Sequence, residues 1–430
     1  MRACSSPEDS VVDPNADLRS CYTEQFRCIG PDCEDTCCQN FNVKIDESTY
    51  AKYQSLPQGP LTSKIHKLIQ ITGEQTGWNH AEILFESQPT CPFLDSDSLC
   101  EIQKEHGSGY LSDTCSQYPR LKLAIDDLPD AALSISCPEA ARFVLNHPKL
   151  MPGFSDGHDP SRRYRELQPF FAGLPRSAGD LKPYFWAIRR FVLLCLTDRS
   201  YSVGQRLFVI GMLAMRLQAL VDEKQIGQAP KLLLQYAEIV ASGSLRPVMS
   251  RIPAQPVLQL MLVLELLVKP VEKATFPSSR FSECRQRFLD GIGYQAGASP
   301  VSLSPAYQRA FKDNYLRWTQ QNPTMLENYL VNAAIANMFP VGRFGSKQGL
   351  LPWREYLRLS IHYGLIQSLL IGMAGSSPFG LTPEDVIKLI QSFEKLIGHN
   401  ATYIEETIAL LEREGLSNTQ GFAALICDPV

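Results

Sequence analysis

Cys28-Ile-Gly-Pro-Asp-Cys33-Glu-Asp-Thr-Cys37-Cys38 places four thiols within eleven residues, with Gly30, Pro31, Asp32 and Asp35 among them. A segment this polar and this rich in turn formers cannot build a core of its own. The economical reason for so many sulfurs in so short a loop is a shared metal ion or cluster, because thiolates are soft ligands suited to zinc and to iron–sulfur centres. Four more thiols follow at Cys91, Cys100, Cys115 and Cys137, so eight of the thirteen cysteines lie between residues 28 and 137. Cys28, Cys33, Cys37, Cys38, Cys91, Cys100, Cys115 and Cys137 are therefore the candidate ligands. Eight thiols suffice for two zinc ions, or for one cluster with thiols to spare. Buried structural cysteines are the bland alternative, but core cysteines do not concentrate in Gly/Pro/Asp-rich loops.

Each later thiol has a readable setting. Cys91-Pro-Phe-Leu-Asp-Ser-Asp-Ser-Leu-Cys100 carries a turn at its centre, which brings its two cysteines together like the ends of a hairpin. Cys115 falls in Asp-Thr-Cys-Ser-Gln-Tyr-Pro-Arg120, read as another turn-rich loop. Cys137 precedes Pro138-Glu-Ala-Ala-Arg-Phe-Val-Leu145, a helix whose N-terminus should stabilise a thiolate. Adjacent side chains diverge in extended or turn backbone, so Cys37 and Cys38 are expected to have unequal roles. Cys4 and Cys21, and the downstream Cys195, Cys284 and Cys427, are read as belonging to no site.

Around the thiol loops the pattern is short and mixed. Phe41–Ile45 alternates like a strand, Asp46 reads as the N-cap of a helix through Tyr50 and Tyr53, and a second helix is expected over Thr62–Ile71, ended by Gly73. Ala81–Phe85, Leu121–Ile125 and Ala131–Ile135 read as strands, and Ile102–His106 as one or two helical turns. Beyond residue 163 the periodicity is helical, with helices expected near 181–197, 202–224, 229–241, 256–269, 277–291, 303–320, 323–338, 353–374, 383–398 and 401–414. In 383–398 the signals agree: Thr382 caps, Pro383 opens, Glu384 and Asp385 fill the first turn, and Val386, Ile390, Phe393 and Ile397 form one stripe. The fold class is mainly α. A mobile arm (1–20) leads into a cysteine-cluster domain with short strands (21–147), a Pro/Gly-rich linker (148–163) and an all-α domain (164–430).

Composition narrows the function. The chain of 430 residues is 44% hydrophobic and 20% charged with a net charge of −4, which fits a globular protein and argues against general nucleic-acid binding. Val257–Val268, the longest apolar stretch, is interrupted by Gln259 and Glu265 and is too short to span a bilayer. The N-terminus lacks the apolar region of a secretory signal, and uneven thiols in a long chain fit a reducing cytoplasm better than a disulfide framework. No phosphate loop or G-x-G-x-x-G follows a strand, so a doubly wound nucleotide fold is not expected. The glycines of 342–349 lie between helices and read as a loop. Cys33-x3-Cys37 is followed at position 40 by Asn40, which breaks the C-x3-C-x2-C spacing of radical S-adenosylmethionine enzymes. His106 lies nearest the thiols and reads as a helix-end histidine.

The thiol blocks, in their order and spacing, resemble the bacterial flagellin lysine-N-methylase (FliB-type) family. They are Cys28–Cys38, Cys91-Pro-Phe-Leu-Asp95, Leu99-Cys100-Glu-Ile-Gln103, Tyr110-Leu-Ser-Asp-Thr-Cys115-Ser-Gln-Tyr-Pro-Arg120 and Ser136-Cys137-Pro-Glu-Ala-Ala141. The resemblance continues through Leu326-Glu-Asn-Tyr-Leu-Val-Asn332, Met338-Phe-Pro340, Tyr363-Gly-Leu-Ile366 and Ile371-Gly372. The wider class of zinc- or iron-chelating cysteine-cluster proteins has C-x2-C-x2-C-C, whereas the gaps here are longer. The resemblance implies methyl transfer from S-adenosylmethionine to lysine ε-amines of a protein, flagellin, with a cysteine-bound iron–sulfur cluster, 4Fe–4S in preference to zinc. Tyr110, Tyr118 and Glu139 adjoin candidate ligands and read as supporting residues, and no catalytic or donor-binding residue is assigned. The rival reading is a non-enzymatic, zinc-stabilised helical adaptor for a flagellar or secretion partner.

Overall fold

Asp46 organises the start of the fold. Its carboxylate accepts hydrogen bonds from the Thr49 amide (2.9 Å), Ser48 Oγ (2.7 Å) and Thr49 Oγ1 (2.9 Å), capping helix α1 (Glu47–Gln54) as expected. It also accepts from the Asp113 amide (2.9 Å), which begins a helix far along the chain. This computed structural model describes residues 22–39, 43–73, 79–85, 89–125, 128–148, 150, 181–268, 278–342, 351–398, 401–413, 415–416 and 419–430. The expected arm over 1–20, Cys4, Cys21, the linker apart from Pro148 and Leu150, and residues 343–349 of the glycine-bearing loop lie outside those residues.

Helix α2 (Pro60–Leu68) stops short of the expected Ile71. Ile69–Ile71 instead forms strand β2, antiparallel to β3 (Ala81–Ile83), which pairs on its other edge with β1 (Lys44–Ile45). Ile69 continues the apolar stripe of Ile65 and Leu68, so periodicity alone extends the helix. Strand pairing wins because it satisfies the backbone beside the β3 edge. Helix α3 (Glu101–His106) and helix α4 (Asp113–Gln117) follow. The segment around Cys115 is therefore helical rather than loop, because Ser112 caps it and Asp113 occupies its first turn. Strands β4 (Arg120–Ile125) and β5 (Leu128–Leu133) form a hairpin, with Arg120 opposite Leu133, so the second strand starts and ends earlier than expected.

Helix α5 (Pro138–Leu145) leads to the helical body: α6 (Phe185–Thr197), α7 (Val203–Asp222), α8 (Ala229–Ser242), α9 (Arg246–Met249), α10 (Pro256–Val263), α11 (Ser279–Gly291), α12 (Pro300–Ala310), α13 (Leu316–Gln321), α14 (Met325–Ala336), α15 (Pro352–Gly375), α16 (Pro383–Phe393), α17 (Ala401–Arg413) and α18 (Thr419–Ile426). Among the described residues, the π turns Leu264–Val268, Phe311–Tyr315 and Glu394–Gly398 continue α10, α12 and α16. The expected helices are found, mainly α as the periodicity implies, with α9 and α18 as additions. The Thr382 cap forms with Asp385 as its reciprocal partner. Gly291 and Gly372 sit where α11 and α15 touch, and a Cβ on either would strike the other helix. Among the described residues no helix is long and apolar enough to cross a membrane.

Among the described residues two hydrophobic cores result. The smaller gathers Val43, Ile45, Tyr53, Ile65, Ile83, Phe93 and neighbours. The larger runs through the helical body and also takes in Tyr22, Phe26, β5 and α5. Helix α14 lies at the centre of these contacts, and every residue from Met325 to Ile335 is buried. Its polar side chains each hold a different element. Glu327 takes Arg206 of α7 (2.9 Å) and Arg199 (2.9 Å). Asn328 donates to the carbonyls of Leu145 (3.3 Å) and His147 (2.7 Å), which α5 leaves open at its end. Asn332 donates to the Leu133 carbonyl (2.9 Å) and accepts from Tyr22 (2.6 Å). The Leu326–Asn332 block is thus a fastening for the thiol-bearing segments.

Candidate metal centre

The loop from Cys28 is shaped by its own turn formers. Gly30–Asp32 makes one 3-10 turn, with Gly30 at φ +61, a conformation that favours glycine. The Gly30 amide donates to Cys28 Sγ (3.4 Å), the Cys33 amide closes the turn onto the Gly30 carbonyl (3.2 Å), and Cys33 Sγ donates to the Asp35 carbonyl (3.5 Å). The Cys38 amide donates to Thr36 Oγ1 (3.2 Å).

The helical body grips this loop from behind. Lys395 Nζ donates to Asp35 Oδ1 (2.6 Å) and to the Thr36 carbonyl (3.0 Å). The fully buried Gln391 donates to Asp35 Oδ2 (2.7 Å) and to the Ser136 carbonyl (2.9 Å), tying the residues beside Cys37 and Cys137 to one side chain. Arg280 holds Gln391 in turn through Oε1 (3.0 Å). Arg142 of α5 reaches Glu34 (2.6 Å) and also pairs with Glu139. Lys395, Gln391, Arg280 and Arg142 carried no sequence signal.

The remaining thiols come in from three sides. The Cys91 amide donates to the Cys38 carbonyl (2.7 Å), and Gln39 bridges Thr90, so the first thiol loop lies alongside the second. The Asp95 amide bonds the Leu99 carbonyl (2.8 Å) and the Glu101 amide the Phe93 carbonyl (2.8 Å), making the expected hairpin-like turn with Leu94 opposite Cys100. Cys100 and Cys137 each occupy the position just before a helix, α3 and α5 respectively. Cys115 is carried by α4, whose Thr114 Oγ1 donates to the Lys44 carbonyl (3.1 Å).

The thiols are close enough to feel one another. Burial pushes Cys91 up to about 12, and the Cys115 and Cys100 thiols add to it. Burial pushes Cys115 up to about 11, with Cys100 and Cys37 adding. Cys137 reaches about 12 through burial, with Cys33 and Cys37 adding, so the first-turn amides of α5 do not make it a low-pKa thiolate as expected. Cys33 is raised by burial, with Glu34, Cys37 and Cys28 adding. Cys37 is raised most by its hydrogen bond with Cys38 and then by burial, and Lys395 opposes both. The two adjacent thiols therefore act on one another. Loading metal must displace these protons, as thiolate ligation always does.

The donor set consists of thiols alone, whose chemistry fits a thiolate-bound centre. Among the described residues, no three Cys, His, Asp or Glu side chains are arranged to hold a single metal ion. The supporting candidates have partners of their own. Glu139 pairs with Arg142, the Tyr110 carbonyl accepts from Tyr53 (2.7 Å), and Tyr118 Oη bonds Ser136 Oγ (3.0 Å) beside Cys137. His106 ends α3 with its ring against Tyr110. Cys195 and Cys284 are buried in the helical body, and Cys427 follows α18. One unforeseen polar group lies next to the Lys395 anchor: Glu394 accepts from Tyr329 (2.7 Å) and faces His362 Nδ1 (3.4 Å).

The FliB lysine N-methylase C-terminal domain family matches residues 189–425, the helical body. The lysine-N-methylase of Salmonella typhimurium is 23% identical over 390 residues, spanning 88% of this chain and 91% of that protein. The lysine-N-methylase of Salmonella choleraesuis is 22% identical over the same length. The flagellar biosynthetic protein FliU of Salmonella muenchen is 31% identical over 131 residues, which are 30% of this chain and 77% of that protein. No solved structure matches. With its helical body matched by the domain family and its length spanned by both methylases, the chain belongs to the FliB-type lysine N-methylase family of protein-lysine methyltransferases.

Proposed function

We propose that the chain transfers methyl groups from S-adenosylmethionine to lysine ε-amines of flagellin in the cytoplasm. We further propose that its thiol loops hold an iron–sulfur cluster, 4Fe–4S in preference to zinc. The observation that carries the reading is similarity along 88% of the chain to proteins named lysine-N-methylase, with the helical body matched by the domain family. A methylated lysine must attack as the neutral amine. From its ordinary pKa near ~10.4, neutralising it at pH 7 costs roughly 4.6 kcal/mol, which a site offsets by desolvation or by a base. It must also hold nitrogen, methyl carbon and sulfonium in line.

The chain's own residues supply rigidity for that task. Lys395, Gln391 and Arg142 fix the first thiol loop on the helical body, and Asn328 and Asn332 fix α5 and β5 beside it. When bound, a cluster clamps the thiol loops together and supplies redox-active iron. The test incubates anaerobically purified chain with S-adenosylmethionine and flagellin and maps methyl-lysine by peptide mass spectrometry. Methylated lysines that require both chain and donor are expected. Cluster-loaded chain that leaves flagellin unmodified overturns the reading, and zinc-loaded chain that binds flagellin without modifying it favours the adaptor.

A further inference from the structure

Arg189 of α6 and Asp130 of β5 form the most deeply buried ion pair among the described residues, each side chain 2% exposed. One bond joins them, from Arg189 Nη1 to Asp130 Oδ2 (2.7 Å). Arg189 Nε, Arg189 Nη2 and Asp130 Oδ1 are buried and have no hydrogen-bond partner. Buried charge is costly unless it is fully paired, so three open atoms in one pair need a reason. We propose that this pair binds the α-amino-acid end of the methyl donor, with Arg189 taking its carboxylate and Asp130 its ammonium. The inference rests on the reading above that the chain uses S-adenosylmethionine.

Nε–H and Nη2–H share one edge of a guanidinium and point the same way, the arrangement that grips both oxygens of a carboxylate. Arg199 shows that edge in use: its Nε (3.1 Å) and Nη2 (2.9 Å) clasp the two oxygens of Glu327. Arg206 is buried too, yet its Nε donates to the Tyr201 carbonyl (2.9 Å) and its Nη1 to the Leu196 carbonyl (2.7 Å) and Glu327 (2.9 Å). Burial in this fold does not by itself leave a guanidinium edge open, and Arg189 is the buried arginine whose carboxylate-gripping edge is open.

The open atoms define the chemistry of the ligand. A carboxylate on the Arg189 edge and an ammonium on Asp130 Oδ1 satisfy all three, and together they add no net charge to a neutral pair. A phosphate or a simple carboxylate would leave Asp130 Oδ1 open. A protein lysine, which brings a cation alone, would leave the Arg189 edge open. An α-amino acid carries both groups on one carbon, and S-adenosylmethionine ends in one. The Phe185 and Trp186 rings each lie 5.5 Å from the guanidinium carbon, which keeps water away and strengthens a charged hydrogen bond there. Phe185 is fully buried and Trp186 only partly, so entry is from the Trp186 side. Strand β5 is fastened to α14 by Asn332 (2.9 Å) and leads on to Cys137, which sets the donor's end on the strand that runs to the thiols.

The experiment titrates full-length wild type and Arg189→Lys calorimetrically with S-adenosylhomocysteine and with methylthioadenosine, which lacks the amino-acid end. Wild type should prefer S-adenosylhomocysteine by about a hundredfold. Arg189→Lys keeps a charge opposite Asp130 but loses the two-pronged edge, so it should bind S-adenosylhomocysteine about tenfold more weakly and methylthioadenosine unchanged. Unchanged methylthioadenosine binding also reports that the variant is folded. In wild type, S-adenosylhomocysteine should slow hydrogen exchange in β5 and α6, a readout that needs no variant. Equal binding of the two ligands by wild type, no slowing in β5 and α6, or a folded Arg189→Lys that binds S-adenosylhomocysteine as wild type does overturns the site and leaves the methylase reading standing. Wild type that binds neither S-adenosylhomocysteine nor S-adenosylmethionine overturns both.

Discussion

Replacing Lys395 with Met should loosen the first thiol loop far more than the same replacement at Lys388, about two turns earlier on the same helix. The Lys395 and Asp35 side chains are 9% and 14% exposed, and the ammonium also serves the Thr36 carbonyl. Removing one partner of a buried pair costs roughly 3–5 kcal/mol, because the other charge is stranded. Asp35 keeps its bond from Gln391 and a little solvent, which puts the cost near the lower end, about 3 kcal/mol. That is roughly a hundredfold in the loop's opening equilibrium. Lys388 pairs with Glu283, whose side chain is 61% exposed, so Lys388→Met should cost less than about 1 kcal/mol. Native-state hydrogen exchange of amides 33–39 and the rate of metal loss to a chelator read the difference. If Lys395→Met opens the loop no faster than Lys388→Met, the helical body does not hold the loop and the reasoning fails.

Other outcomes follow from the same contacts. Glu327→Gln should lower global stability by roughly 3–5 kcal/mol in urea unfolding, since it strands the buried Arg206 guanidinium; a loss below about 1 kcal/mol would deny α14 its fastening role. Combined Cys195→Ala, Cys284→Ala and Cys427→Ala should leave metal content unchanged, because these thiols lie in or beside the helices rather than in the thiol loops; a fall would make one of them a ligand. Burial disfavours the Asp385 carboxylate, but the Arg287 hydrogen bond and the Thr382 cap outweigh it and hold the group below its ordinary value. Its stabilisation is thus present above about pH 4 and lost as pH falls through the folded-state pKa, so Asp385→Asn should flatten the acid limb of a stability–pH curve.

The helical half was readable because its signals are local. Thr382, Pro383 and the Val386–Ile397 stripe name their own helix, and its continuation as a π turn from Glu394 leaves that stripe intact. Where tertiary pairing decides, local signals mislead. Ile69 extends an apolar helical stripe but joins a sheet, and the Cys115 segment reads as a turn until Ser112 and the distant Asp46 are seen to cap and hold it. The thiols themselves stood out by density and setting. Their supports did not: Gln391 and Lys395 are ordinary helix residues more than 350 positions from Asp35, and only the folded chain brings them together. Distance along the chain also hides the part played by Asn328 and Asn332. Their block was legible as a resemblance, but its partners at Leu145, His147 and Leu133 were not.

Metal and sulfide analysis of the full-length chain, purified anaerobically without added metal, bears most directly on whether these thiols are a cofactor site. The thiol loops predict brown protein with iron, acid-labile sulfide and a broad band near ~400 nm. Colourless protein carrying stoichiometric zinc would contradict the iron–sulfur assignment, and protein with neither metal would remove the thiols from the mechanism altogether.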